Sequence, residues 1–339
     1  MITIKEMAEI LGVSTTTVSN VIHGKTKEVS KDMVKKVQDL IDKYEYVPNI
    51  NARNLATNNS KIIGVAIRTM TGKYENPIND PFVSEFLGTV EKSIREKGYF
   101  MMVYISDDIS EILKCLNTWN VDGMLFLGMS EDDFKMIKKK YKKPSVYIDS
   151  YFYKENSEFV NVGIEDTKGA YEMTKYLIEN GHKKIGFITD NCKGLDCERF
   201  KGYRKALDEE KIEFKEEDLI IIKPINGKID YILNDIYKIS SKYTVFFCMS
   251  DYYAVNIMNY FIDNGKKVPE DFSIVGYDNI IYSQIARPKL TTVNQDIGKK
   301  GKVALELLIK MIRGEKISDK KISLPTNIII RNSVKSLNK

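Results

Sequence analysis

The chain has 339 residues, 43% of them hydrophobic and 29% charged, with a formal net charge of +5. Those fractions belong to a chain with a sizeable buried core and exclude a disordered one. Its longest apolar runs, such as Ile62–Ile67, fall far short of the roughly 20 residues that span a bilayer.

Taken in chain order, residues 1–47 read as three short helices. Thr3 and Glu6 form a capping-box pair. Ile4, Met7, Ala8 and Leu11 then recur at helical spacing, and Gly12 permits a tight turn. Ser14 starts a second helix, Thr15–Val21, and Ser30 a third, Asp32–Tyr44. Two helices joined by a Gly-containing turn make a helix-turn-helix. The outer face of the second helix, Thr15, Thr16, Thr17, Ser19 and Asn20, is small and polar. Such a face suits close approach to phosphates and base edges, and a solvated helix face is the bland alternative. Residues 1–61 carry nine Lys/Arg against seven Asp/Glu. So mild a positive charge favours binding DNA as a dimer over binding as a monomer.

Residues 48–61 hold five Asn and read as a linker with one short helix, Asn51–Thr57, too short to hold alone in water. From Ile62 onward strands alternate with amphipathic helices. The candidate strands are 62–67, 100–105, 123–127, 145–148, 160–164, 185–188, 219–222, 245–248, 273–276 and 328–330. This pattern predicts an α/β core of two doubly wound parallel-sheet lobes behind an all-α headpiece. The expected lobes are about 62–160 plus 290–325, and 161–289 plus 326–339.

Four cysteines, 115, 192, 197 and 248, and two histidines, His23 and His182, show no zinc-site spacing and offer little general-base chemistry. Neither phosphate-cradle motif is present. No metal and no cofactor is expected. His182, between a helix end and a strand, is expected to bond backbone carbonyls. The first residues lack a secretory pattern, which predicts a cytosolic protein.

Thr3-Ile-Lys-Glu-Met-Ala-Glu-Ile-Leu-Gly-Val-Ser-Thr-Thr-Thr-Val-Ser-Asn-Val-Ile resembles the headpiece of the lac repressor (LacI/GalR) family. The likeness continues, in that family's order, through Tyr46-Val-Pro-Asn, Asn51-Ala-Arg-Asn-Leu-Ala, Gly181-His-Lys-Lys-Ile, Glu198-Arg-Phe-Lys-Gly-Tyr, Ile274-Val-Gly-Tyr-Asp and Leu290-Thr-Thr-Val. The resemblance implies a periplasmic-binding-protein-like core that senses a small molecule, a sugar or sugar derivative. It also implies a homodimer or tetramer on double-stranded operator DNA, with no membrane role, repressing carbohydrate-utilisation genes.

By the same resemblance Thr15, Thr16 and Asn20 stand at base-reading positions, and Thr3, Ser14, Thr17 and Ser19 at phosphate contacts. Ala52 and Leu55 fall in the DNA-touching hinge helix, with Leu55 as a minor-groove wedge. Asn20 replaces a frequent Arg, which points to adenine rather than guanine. The implied effector contacts are Phe82, Asp149, Arg199, Ser250, Asp251 and Asp278. Asp149, Ser250, Asp251 and Asp278 follow candidate strands, where open α/β sheets place ligands. For each of them a helix cap or loop salt bridge is the alternative, most of all for Ser250 and Asp251. Tyr104, Trp119, Tyr147 and Tyr151 read as core aromatics, with a place in the cleft lining as the alternative. A sugar-modifying enzyme and an exported solute-binding protein are the rival readings. A need for a corepressor or a partner protein stays open.

Overall fold

The computed structural model describes residues 2–47, 59–69, 76–152, 159–225 and 229–338. The chain divides into two compact units, Met1–Ser60 and Lys61–Lys339. Ala52, Leu55 and the expected linker helix lie outside the described residues.

In the first unit α1 is Ile4–Leu11, α2 Thr15–Ile22 and α3 Lys31–Lys43. Each starts where a hydroxyl satisfies an orphan backbone donor. Thr3 Oγ1 accepts from Glu6 N at 3.2 Å, while Glu6 Oε2 accepts from Thr3 N at 2.8 Å. Ser14 Oγ accepts from Thr17 N at 3.1 Å, and Ser30 Oγ from Met33 N at 3.3 Å. Gly12 turns the chain between α1 and α2 at φ 63°, a conformation that favours glycine. The apolar stripes meet in a small core of Met7, Ala8, Val18, Val21 and Val37.

The second unit holds two sheets of six strands. The first contains β1 (Ile62–Arg68), β2 (Phe100–Ser106), β3 (Gly123–Leu127), β4 (Ser145–Ile148), β5 (Asn161–Ile164) and β11 (Lys321–Leu324), in the order β11-β5-β4-β3-β1-β2. All its pairings are parallel. The second contains β6 (Ile185–Thr189), β7 (Leu219–Ile221), β8 (Val245–Cys248), β9 (Ser273–Asp278), β10 (Thr291–Asn294) and β12 (Asn327–Ile329), in the order β12-β10-β9-β8-β6-β7. Here only β10 and β12 run antiparallel. Strands such as β3 and β6 are buried at all five residues, as parallel strands covered on both faces must be.

The helices between strands are α4 (Pro81–Glu96), α5 (Ile109–Thr118), α6 (Glu131–Lys140), α7 (Asp166–Glu179), α8 (Gly194–Glu209), α9 (Asp230–Ile239), α10 (Asp251–Asp263), α11 (Ile281–Ile285) and α12 (Ile297–Ile312). The chain changes lobe three times: from β5 to α7, from β10 to α12, and from β11 to β12.

This corrects the expected lobe boundaries. Strand β5 pairs with β4 and β11 in the first sheet, and β10 pairs with β9 in the second. The lobes are therefore 62–164 plus 297–324, and 166–294 plus 327–338. Two strands, β10 (Thr-Thr-Val-Asn) and β11 (Lys-Ile-Ser-Leu), are absent from the candidate strands. Each is short and polar, and its strand character comes from the neighbour it hydrogen-bonds, not from its own propensity.

One glycine positions the site. A Cβ on Gly202 of α8 would sit 2.0 Å from the Thr167 carbonyl oxygen of α7. Only glycine permits so close a helix crossing, and the crossing brings Arg199, one turn earlier, onto Asp166 at the start of α7.

Candidate functional site

The headpiece presents the first candidate surface. On α2, Thr15 and Thr16 are exposed, and Thr17, Ser19 and Asn20 are half-buried beside the fully buried Val18. The structure thus gathers Ser14, Thr15, Thr16, Thr17, Ser19 and Asn20 along one short helix. Thr3 stands apart, at the start of α1. Thr3 and Ser14 are N-caps, and the Ser14 and Thr17 hydroxyls bond each other at 3.0 Å. A helix N-terminus with free amides beside a hydroxyl is suited to a phosphate oxygen.

The second candidate is a cleft of about 1060 Å³ between the two lobes of the core. It lies beyond the carboxyl ends of both sheets. Phe82, Asp149, Arg199, Ser250 and Asp278 line it together. Its floor is a chain of charged and polar groups that crosses the hinge. Lys300 of α12 is completely buried, and its Nζ sits 2.8 and 2.6 Å from the two carboxylate oxygens of Asp149. Lys300 also donates to Gln295 Oε1, which turns the Gln295 amide so that Nε2 donates to Asp278 Oδ1 at 2.6 Å. Arg199 Nη2 lies 3.6 Å from the same Asp278 oxygen. Arg199 Nε donates to Asp166 Oδ1 at 2.7 Å, and Nη1 to the Met249 carbonyl at 2.7 Å. Its guanidinium stacks 3.7 Å above the centre of the Tyr277 ring. Tyr151 donates to the other Asp166 oxygen.

The floor therefore links Asp149 of the first lobe to Asp278 of the second through Lys300 and Gln295. Both aspartates have positive φ, 51° and 108°. Such backbone costs on the order of 1 kcal/mol or more each and persists only where its surroundings over-determine it. Burial pushes the Asp149 carboxyl above the usual range, and Lys300 opposes that rise. Burial also works against the charge of Arg199, yet Asp166 and Asp278 outweigh it and raise its pKa well above normal. Burial, with Asp166 and Asp149 nearby, pushes the Tyr151 phenol far up, so it serves as a donor.

Several expectations change. Asp251 is fully buried and absent from the cleft lining. Its carboxylate accepts from Ile280 N at 2.9 Å and Thr292 Oγ1 at 2.6 Å, tying α10 to β10 and the segment after β9. Ser250 does face the cleft, but its Oγ also caps α10 through Tyr253 N at 3.4 Å. Arg199 lies in the second turn of α8. Tyr151 lines the cleft rather than the core, and Trp119 is 56% exposed. His182 bonds one carbonyl, that of Lys335, at 3.1 Å from Nε2, while Nδ1 meets the Thr244 hydroxyl at 2.8 Å. Burial lowers its pKa, which keeps the ring neutral and structural.

Asp166, Gln295 and Lys300 were not singled out from the sequence. Lys300 did leave a signal: it interrupts the apolar stripe Ile297, Gly301, Ala304, Leu305, Leu308 at helical spacing. Among the described residues no group of His, Cys, Asp or Glu could hold a metal ion, and no helix is long and apolar enough to cross a membrane.

Comparison with known proteins agrees with both units. Residues 3–49 match the model of bacterial regulatory proteins of the lacI family, and 174–334 that of the periplasmic binding protein-like domain. The chain is 32% identical over 345 residues to the HTH-type transcriptional repressor PurR of Vibrio parahaemolyticus, covering all of both chains. It is 33% identical over 346 residues to the PurR of Vibrio atlanticus, again over both full lengths. Among solved structures, the lac repressor dimer bound to operator and the anti-inducer ONPF aligns with a TM-score of 0.82 at 20% identity, covering 98% of this chain and 99% of that one. CcpA of Lactococcus lactis aligns with a TM-score of 0.70 at 28% identity, over 81% of this chain and 99% of that one.

Proposed function

The chain belongs to the LacI family of bacterial regulatory proteins and is a DNA-binding transcriptional repressor, not an enzyme; on that premise we propose that a small molecule bound in the interlobe cleft sets its affinity for operator DNA. The protein acts in the cytoplasm as a homodimer, each headpiece on one half of a palindromic operator. Thr15, Thr16 and Asn20 read base edges, and Thr3, Ser14, Thr17 and Ser19 hold phosphates. Ala52 and Leu55 meet the minor groove. The effector is a sugar or sugar derivative, and the repressed genes serve carbohydrate use.

The observation that carries this reading is the cleft floor. Asp149 and Asp278, one from each lobe, face one cavity with Arg199, while Phe82 offers an aromatic face at its wall. Carboxylates accept from paired hydroxyls, a guanidinium donates to them, and an aromatic ring covers the apolar face of a sugar. A ligand bonded to both aspartates competes with the Lys300–Gln295 link across the hinge, so it shifts the balance between lobe arrangements by its differential affinity for them.

The test joins site selection to ligand screening. Full-length protein is used to select from random duplexes, then melted in the presence of sugars, sugar phosphates and nucleobases. The expected result is a palindromic site whose binding falls with salt, and a stabilising compound that changes operator affinity. A compound that stabilises the protein but leaves operator affinity unchanged would sink the allosteric part. Failure to enrich any duplex at low ionic strength would sink the DNA part.

A further inference from the structure

Two thiols share the cleft wall with the charged floor. Cys192 and Cys197, with four residues between them, both line the cleft. Neither is in a disulfide. Cys192 is exposed and Cys197 half-buried, whereas Cys115 and Cys248 are buried. The pair sits where the chain enters α8. Lys193 is the N-cap of that helix, with extended backbone at φ −126° and ψ 160°. Cys192 is therefore the residue before the cap and Cys197 the fourth residue of the helix. Side chains at those two positions pack on each other at a helix start.

Hydrogen bonds draw the same segment closed. Asn191, the residue before Cys192, donates from Nδ2 to Oδ2 of Asp196, the residue before Cys197, at 2.7 Å. Lys193 N donates to Asn191 Oδ1 at 2.7 Å, which folds the chain back at once. Gly194 lies inside the loop at φ 54°, and a Cβ there would meet nothing within 4 Å. The loop thus has room to adjust around a cross-link. Burial, and then the nearby Cys197 and Asp196, push the Cys192 thiol above its usual range.

The geometry points to a modification site: Cys192 and Cys197 form a dithiol that a peroxide converts reversibly to a disulfide in the cleft wall. The Cys192 thiolate attacks one peroxide oxygen and the O–O bond breaks. This leaves a sulfenic acid on Cys192 and a hydroxide that takes a proton to become water. The Cys197 thiolate then attacks that sulfur. The S–S bond forms, the S–O bond breaks, and the leaving hydroxide takes a second proton. Two thiols lose two electrons, and one peroxide becomes two waters. A small dithiol reverses the change by exchange. Cys192 is largely protonated at pH 7, so oxidation follows the thiolate fraction and quickens about tenfold per pH unit. The bond ties the first turn of α8 to the segment before it. That turn leads to Arg199 on the cleft floor, so oxidation stiffens the wall whatever the cleft binds.

The experiment treats full-length protein with hydrogen peroxide at pH 7 and at pH 8. The protein is then alkylated under denaturing conditions and digested with trypsin without reductant. Cleavage after Lys184, Lys193 and Arg199 puts the cysteines on separate peptides, 185–193 and 194–199, which only the disulfide holds together. The expected result is that joined pair from chains that run as monomers on a denaturing, non-reducing gel. Free thiols should fall from the four of the sequence to two, about tenfold faster at pH 8, and return with dithiothreitol. Amide hydrogen exchange over 194–199 should slow in the oxidised protein. C192S and C197S should each abolish the joined pair and the exchange response. Thiols lost to sulfinic acid or to links between chains, with no joined pair within a chain, overturn the proposal. A joined pair that leaves exchange over 194–199 unchanged overturns the stiffening of the wall.

Discussion

Helix α2 of the headpiece and the cleft floor solve opposite problems. On α2 the candidate contacts are small, uncharged side chains at the surface, placed by a backbone that its own caps and a five-residue apolar core hold in shape. In the cleft they are charged, nearly buried, and fixed by one another: remove any one and its partners lose a hydrogen bond in low dielectric. A substitution on the helix should therefore alter recognition and leave the fold intact, whereas one at the floor should alter ligand binding and destabilise the fold as well.

Lys300→Met is the severest test of that contrast. It leaves Asp149 buried without its cation, and breaking a buried pair from one side costs about 3–5 kcal/mol. Urea unfolding should report that loss. The double variant D149N/K300M removes both charges and should recover most of it; a double variant as unstable as the single one would show that Lys300 stabilises by packing alone.

Val37→Ala comes next, opening a cavity in the small helical core at a cost of about 2 kcal/mol. Because the headpiece is its own compact unit, its melting should drop while that of the 61–339 unit holds. A single shifted transition would mean that the two units unfold together.

Asp251→Asn probes the pH response of a carboxylate buried outside the cleft, between α10, β10 and the segment after β9. Burial, reinforced by Asp278, raises the Asp251 pKa well above its ordinary 3.8. A carboxyl raised on folding adds stability below its unfolded pKa and loses it as pH rises through the folded value. The wild-type melting temperature should thus carry a component that falls with rising pH above about 4, and Asp251→Asn should remove it. A pH profile identical in the two proteins would contradict this.

The smallest expected stability effects lie on the head. Ser14→Ala loses the α2 cap, about 1 kcal/mol. Asn20→Ala should change stability by less than about 0.5 kcal/mol yet relax discrimination at one base pair by about 1–3 kcal/mol. A binding-site logo unchanged by Asn20→Ala would remove it from the base-reading set.

Features that depend on neighbours a few residues apart are legible in the chain alone. The three headpiece helices, their Thr3, Ser14 and Ser30 caps, the Gly12 turn and ten of the strands are all written in local periodicity, because a cap or an amphipathic face is satisfied within one or two turns. Asp149 and Asp278 were legible for the same reason: each ends a strand, and strand ends are where this architecture places ligands. Features that depend on distant partners emerge from the packing of the folded chain, and that packing corrected the local reading. It moved β5 and β10 between lobes, gave strand form to Thr291–Asn294 and Lys321–Leu324, and took Asp251 out of the cleft. It also joined Lys300 to Asp149 across 151 positions of chain. No local pattern encodes such a pairing, since whether a buried lysine meets its carboxylate is settled by the packing of helix on sheet.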